Sequence, residues 1–325
     1  MDELIQAMKA AGEPTRLRIL VALDRSELTV TELCRILGQS QPRVSRHLKL
    51  LCDAGLLSRQ AEGTSAYYRH ARSPFAHQFL SSVKAQIEAD DPTVERDQQQ
   101  LALIRAQRAE LAARSFEKIA QEEELLQDQH VPAAEVEATM LDLVGPAPIK
   151  RLLDIGTGTG RVLELFAPNI GAGIGVELSR EMLNLARTKL DARHLDHCSV
   201  RHSNAYNLDV EVGSISLAVL HHVLHFLEEP ARAIEQAVQT LGPDGRLLIV
   251  DLGPHLIEAL RADHGHRRLG FADEEVMEWC QTAGLAKVEV SHLDLAESDP
   301  PGLTVALWLA TQPSDVPNAT DLAVV

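Results

Sequence analysis

At 325 residues, with 45% hydrophobic and 24% charged side chains, the chain reads as an ordinary globular protein of about two domains. Residues 1–10 contain no apolar signal core, and the longest apolar runs fall far short of the roughly 20 residues of a membrane helix, so a cytoplasmic, membrane-free chain is expected. Cys34, Cys52, Cys198 and Cys280 form no CxxC pair, which argues against a disulfide framework or a zinc knuckle and for buried free thiols.

The net charge of −16 is unevenly spread. Residues 1–90 hold 12 basic and 10 acidic side chains, a balance of +2, and the remainder holds 19 and 37, a balance of −18. A DNA-binding module attached to an acidic ligand-binding body has this signature, because charge at the contact face matters more than the total. Within the first segment, "GEPTRLRILVAL" predicts a helix with Pro14 in its first turn and Leu17, Leu20, Val21 and Leu23 at helical spacing. "TVTELCRILG" predicts a second, with a threonine cap in front and Gly38 behind. "SQPRVSRHLKLLCDAG" predicts a third: Ser40 caps it, Val44, Leu48 and Leu51 form its apolar stripe, and Gly55 ends it. "LLSRQAEGTSAYYRH" reads as a hairpin around a turn at residues 62–65, with Gly63 available for positive φ.

Two short helices, a turn at Gly38 and a basic second helix make a helix-turn-helix candidate. Arg43, Arg46, His47 and Lys49 lie on the helix that would enter the major groove. Gln41, Ser45 and Arg46 stand early enough to face base edges, whereas Lys49, Arg59 and Arg69 suit phosphates. From "GEPTRLRIL" through "SQPRVSRHLKLLCDAGL" to "YYR", nearly all of residues 3–72 closely resembles the winged helix-turn-helix of the ArsR/SmtB regulators. That resemblance implies a homodimer that binds a double-stranded DNA operator, usually as a repressor released by an inducer, often a metal. The metal part does not carry over: "ELCRIL" offers Cys34 alone, and His70 and His77 have no evident partner ligands, so no metal site is expected.

Residues 90–130 are charged, glutamine-rich and free of glycine. Leu101, Ile104, Leu111, Phe116, Ile119 and Leu126 recur at threes, fours and sevens, interrupted by Arg108, which predicts a long amphipathic helix. It serves either as a linker packed on one domain or as a dimer seam. From about residue 132 strand and helix patterns alternate. Strands are expected at 150–155, 173–177, 198–202, 214–220, 246–252, 286–292 and 303–311, with helices such as "SREMLNLARTKL" and "ADEEVMEWCQTAG" between most of them, which argues for a parallel sheet covered on both faces.

In "LLDIGTGTG", Asp154 ends a buried strand and Gly156, Gly158 and Gly160 let the backbone turn and a ligand approach, with the next helix pointing its N-terminus at that ligand. A Cβ at Gly158 is expected to crowd this loop. "GIGVELS" puts Glu177 at the end of the next strand, 23 residues after Asp154, where a carboxylate can take both ribose hydroxyls of an adenosine. The glycine spacing is not that of a dinucleotide site, and no cation stands ready for a pyrophosphate, so an adenosine without phosphates is expected.

With "LHHVLHFLEEP" and "LGPDGRLLIVDL", residues 132–311 resemble the class I S-adenosylmethionine-dependent methyltransferases. The resemblance implies S-adenosylmethionine or S-adenosylhomocysteine as the ligand. It assigns Asp154, Gly156, Thr157, Gly158 and Gly160 to the amino-acid moiety and Glu177 to the ribose. Leu178 and Met182 fall beside the adenine, Asn204 and Ala205 in the loop near its amino group, and Leu220 and His221 at the strand end that closes the site. Departures are Asn204 where relatives often carry aspartate, Ser216 where aspartate is common, and a linker without the tryptophan of related fusions. Two distant cysteines cannot hold arsenite for methylation. His221 and His222 are the catalytic candidates, with His225, His264 and His266 nearby in the pattern and packing or capping as the alternative role.

The expected architecture is multidomain: an ArsR-type winged helix-turn-helix (α+β) at 1–90, a long linker or dimerisation helix at 91–131, an α/β Rossmann-like seven-stranded methyltransferase fold at 132–312, and a flexible tail at 313–325. Two functions fit it. One is a transcriptional regulator whose methyltransferase-like domain senses an S-adenosyl effector, in the manner of regulators of methionine-cycle genes. The other is a working methyltransferase that carries a DNA-binding module. The DNA reader is complete and no acceptor site is evident, which favours the regulator.

Overall fold

The computed structural model describes residues 1–24, 26–62, 65–71, 73–87, 91–124, 131–294 and 303–313, apart from the side chains of residues 62, 65, 109, 111–124 and 262–264. The chain divides into two compact units, Met1–Arg114 with Asp191–Asp196, and Ser115–Leu190 with His197–Val325.

The first unit begins with helices α1 (Asp2–Ala11) and α2 (Pro14–Ala22), then a two-residue strand β1 (Leu28–Thr29) and helices α3 (Val30–Leu37) and α4 (Gln41–Asp53). Strands β2 (Leu57–Glu62) and β3 (Ser65–His70) follow, and then helices α5 (Pro74–Lys84) and α6 (Pro92–Glu124), the last ten residues of which are counted with the second unit. The strands form an antiparallel sheet in the order β1-β3-β2, the wing; residues 63 and 64 of its expected turn lie outside the described residues. The start of α3 is fixed by a capping box: Thr29 Oγ1 accepts from Glu32 N, and the Glu32 carboxylate accepts from Thr29 N at 2.8 Å. Gly38, at φ +65°, ends α3 in the left-handed region and so turns the chain toward α4. Ser40 holds the N-cap position of α4 as expected, but its side chain makes no capping hydrogen bond; Pro42 in the first turn supplies the preset φ there. Val44, Leu48 and Leu51 are buried with Ile19, Leu33, Ile36 and Leu56 in one apolar core.

Helix α6 answers part of the question left by the sequence. Leu101 and Ile104 are buried in the core of the first unit, so this part of the helix packs on the winged helix. Arginines fasten it. Arg18 donates to both oxygens of the buried Asp97 at 2.6 and 2.8 Å, and Arg105 donates to Ser26 Oγ at 2.6 Å. Arg108, which interrupts the apolar stripe, donates to both oxygens of Glu32 at 2.9 and 2.7 Å, so it grips the carboxylate of the α3 capping box. The side chains of Leu111, Phe116, Ile119 and Leu126 lie outside the described residues, as does the expected tail from residue 314 onward.

The second unit runs α7 (Ala133–Val144), β4 (Ile149–Ile155), α8 (Arg161–Phe166), β5 (Ile170–Glu177), α9 (Arg180–Ala192), β6 (Cys198–His202) and β7 (Ile215–His221). It continues with α10 (Pro230–Thr240), β8 (Leu241–Leu252), α11 (Glu258–His264), α12 (Asp273–Thr282), β9 (Lys287–Leu293) and β10 (Val305–Thr311), and a 3-10 turn spans Leu224–Phe226. The seven expected strands form one sheet in the order β6-β5-β4-β7-β8-β10-β9.

One expectation is corrected: the sheet is mixed. β4 to β8 pair in parallel, but β10 lies antiparallel to both β8 and β9. Only 11 residues separate Leu293 from Val305, and a parallel crossover needs a dozen or more, so β9 and β10 run in opposite directions. The sheet core includes Leu153, Ile174, Leu220, Ile249 and Trp308, whose indole donates to Asp273 at 2.9 Å. β4 sits between β5 and β7, where the strand order reverses. This is the switch point outside whose strand ends ligands bind in open α/β sheets.

Candidate functional site

At the C-terminal end of β4, Gly156, Gly158 and Gly160 have φ of +74°, +51° and +82°, a run that only glycine adopts without strain. Gly156 N and Thr157 N both donate to Val176 O, at 2.8 and 3.0 Å, which ties the loop to β5. The three glycines differ in their surroundings. A Cβ on Gly156 would stand 2.4 Å from Val223 Cγ2, whereas among the described residues one on Gly158 would meet nothing within 4 Å. The expectation that a Cβ at Gly158 crowds the loop is therefore corrected: only its backbone angle demands glycine, and the crowded position is Gly156. Gly175 on β5 has the same kind of role, since a Cβ there would lie 2.6 Å from Thr157 Oγ1. Helix α8, expected to point its N-terminus at the ligand, is only six residues long.

Two carboxylates organise the loop. Asp154 is 1% exposed and accepts from Thr157 Oγ1 at 2.5 Å, so it lies beneath the loop and holds Thr157 in place. Burial, opposed by the Thr157 hydrogen bond and aided by the Glu177 charge, pushes the Asp154 carboxyl up to about 7. Glu177, at the end of β5, accepts from Leu178 N and Ser179 N at 2.8 and 2.7 Å through Oε1, and from Gly158 N at 3.2 Å through Oε2. The glycine loop and the β5–α9 turn thus share one carboxylate. Leu178 is 63% exposed beside it, and Met182 is half-buried in the first turn of α9.

The remaining sequence-predicted pocket residues are less direct. Asn204 is exposed, and its side-chain oxygen accepts from Tyr206 N at 2.8 Å, closing a local turn. Ala205 packs against the sheet core. Leu220 is fully buried inside β7, so its side chain is core and only its backbone can border a ligand. His221 ends β7; burial pushes its imidazole down to about 4, which leaves it neutral near pH 7. Its ring meets that of His222 edge-on at 4.7 Å. The sequence reading missed Val223, which covers Gly156, and Asp251, which binds His225.

In the first unit, α4 exposes Gln41, Arg43, Arg46 and Lys49, with Ser45 half-buried. At 100° per residue these positions share one continuous arc, and Val44, Leu48 and Leu51 fill the opposite one. Arg59 is exposed on β2. His47 and Arg69 depart from expectation. His47 falls at the border of the buried arc, its side chain 12% exposed and its Nδ1 3.6 Å from Glu13, and burial lowers its pKa. Arg69 is engaged by Glu27 and Ser58, both at 3.2 Å.

This arrangement defines a winged helix-turn-helix joined to a class I methyltransferase fold. Residues 13–59 match the family model of the bacterial regulatory protein, arsR family, and residues 153–249 match that of a methyltransferase domain. The chain therefore carries an arsR-type DNA-binding domain at its N-terminus and a methyltransferase domain at its C-terminus.

Among relatives, the arsenical resistance operon repressor of Escherichia coli (strain K12) is 46% identical over 66 residues, 20% of this chain and 56% of that one. An uncharacterized 37.1 kDa protein in transposon TN4556 of Streptomyces fradiae is 32% identical over 147 residues, 43% of this chain and 42% of that one. The chain thus spans about half the length of these curated relatives. The solved YcgJ protein of Bacillus subtilis covers 56% of this chain with all of its own length, at 18% identity and a TM-score of 0.48. Among the described residues, no helix is long and apolar enough to cross a membrane.

Proposed function

We propose that the chain is a cytoplasmic, DNA-binding transcriptional repressor that acts as a homodimer, and that its methyltransferase domain binds S-adenosylmethionine or S-adenosylhomocysteine as effector. The observation that carries the reading is the single arc of α4 that presents Gln41, Ser45, Lys49, Arg46 and Arg43 while the opposite arc builds the core. A helix so divided is held rigidly and offers one polar, basic face to the major groove. In this reading Gln41, Ser45 and Arg46 read bases and Lys49 and Arg59 take phosphates, with Arg43 exposed on the same helix face. His47 and Arg69 act indirectly, by bracing α4 and the wing.

The second unit's residues fit an adenosyl amino acid. The left-handed glycine loop gives backbone close approach, Glu177 at the end of β5 has the acceptor chemistry for ribose hydroxyls, and Leu178 and Met182 offer apolar contact for a base. Asp154 works from below, through Thr157, to set the loop. An effector shifts DNA binding only if it binds two arrangements of the dimer with different affinity. S-adenosylhomocysteine is the preferred effector and methionine-cycle genes the expected targets. Operator binding measured with and without each S-adenosyl ligand tests the reading: a change in affinity supports it, and tight ligand binding without any change rejects it.

A further inference from the structure

Beyond the glycine loop, the C-terminal ends of β7 and β8 gather histidines around one buried carboxylate. His221 ends β7; His222 and His225 follow on the turn, His255 on the segment after β8, and His266 after α11. Asp251, in β8, is fully buried. Its Oδ2 accepts from Leu224 N at 3.0 Å, and its Oδ1 accepts from Leu252 N at 2.8 Å and lies 2.6 Å from His225 Nδ1. The two backbone bonds fix the carboxylate in direction and leave Oδ1 aimed at the histidines. The His225 ring is clasped by His266, stacked at 4.1 Å, and by Phe226 at 4.1 Å. His222 holds its place through its own backbone: its N donates to Val250 O at 2.8 Å, and its φ of +53° is one that a non-glycine residue adopts only when its surroundings enforce it.

His222, His225 and Asp251 each present one donor atom within 4.8 Å of the others. We propose that these three residues bind a divalent transition-metal ion of the zinc, cobalt and nickel class. Two imidazoles and one carboxylate are the donor set such ions select, whereas magnesium and calcium prefer oxygen alone. Bonds of about 2.0–2.2 Å place donor atoms roughly 3–3.6 Å apart around an ion, so the cluster needs a slight opening between His225 and Asp251 and a slight closing of His222. The ion replaces the proton between His225 Nδ1 and Asp251 Oδ1 as the bridge. The Leu224 and Leu252 amides keep the carboxylate oriented, as outer partners do in metal centres. Three protein ligands leave a coordination position for an exchangeable oxygen or nitrogen ligand, unlike a closed structural site. The site lies in the methyltransferase domain, uses none of the cysteines, and is independent of the S-adenosyl reading.

The test is cobalt titration of the full chain after chelator treatment, followed by visible absorption and zinc competition. Expected are one tightly held cobalt with d–d bands but no sulfur-to-metal charge transfer, displacement by zinc and not by magnesium, and a loss of affinity of at least about tenfold in both His222→Asn and Asp251→Asn. Asparagine tolerates the left-handed backbone at 222, so that variant decides the matter even where Asp251→Asn fails to fold. No cobalt uptake, charge-transfer bands from thiolate ligation, or unchanged affinity in folded His222→Asn would each overturn the proposal.

Discussion

The recognition helix and the glycine loop are both short, and they are specified differently. Along α4 the direction of each side chain is set locally: the helical period divides thirteen residues into a core arc and an outward arc, and the outward arc carries the chemistry. The loop is built by partners far away in sequence. Val223 closes over Gly156, Thr157 packs against Gly175, and Glu177 receives Gly158 N. A substitution on the outward arc of α4 should therefore change DNA binding and little else, whereas one in the loop should disturb packing and ligand binding together.

The largest effect should come from Gly156→Val. Overpacking against Val223 of about 1–3 kcal/mol adds to about 1–2 kcal/mol of left-handed strain, so calorimetry should find no S-adenosyl binding and a marked fall in Tm. Unimpaired binding would mean that Val223 moves freely and that the loop is not built as described. Next comes Asp154→Asn. With the folded carboxyl raised to about 7 from an ordinary value near 3.8, the folded state holds a proton that the unfolded chain has released between those values. Stability contributed at low pH is therefore lost as pH rises toward 7. The variant should flatten this part of the Tm profile between about pH 4 and 7, and parallel profiles would show that Asp154 does not titrate there.

Arg46→Ala should weaken operator binding by about 1–3 kcal/mol with Tm unchanged, and His47→Ala should do the reverse, lowering Tm while operator affinity stays near wild type. Fluorescence anisotropy and thermal melts separate the pair. Thr29→Ala should lose about 1 kcal/mol of stability with the capping box. Smallest is Gly158→Ala, where only the backbone angle is at stake and a cost of about 1 kcal/mol follows. A fall in Tm as large as that of Gly156→Val would erase the distinction between the two glycines.

The same contrast explains what was legible in the sequence. Helix patterns, caps and the positions of seven strands follow from local periodicity, and the glycine loop with Glu177 follows from motif spacing. Strand direction does not: alternating strands and helices leave β10 undetermined until the short connection after β9 is weighed. His47 looked like a surface residue by type, yet its angular position puts it beside the buried arc. Arg69 looked free for phosphate, but Glu27, 42 residues away, holds it. Asp251 and His225, 26 residues apart, meet through the end of β8 and the turn that follows its neighbour β7, a juxtaposition no local pattern announces.

The coupling between the two domains is tested most directly by operator affinity of the full chain, by anisotropy at fixed salt, with no ligand and then with saturating S-adenosylhomocysteine or S-adenosylmethionine. Specific binding is expected without ligand, with a shift of at least fivefold with one of them, equivalent to about 1 kcal/mol of coupling. Specific DNA binding that is identical in all three conditions, with ligand occupancy verified by calorimetry, would contradict it.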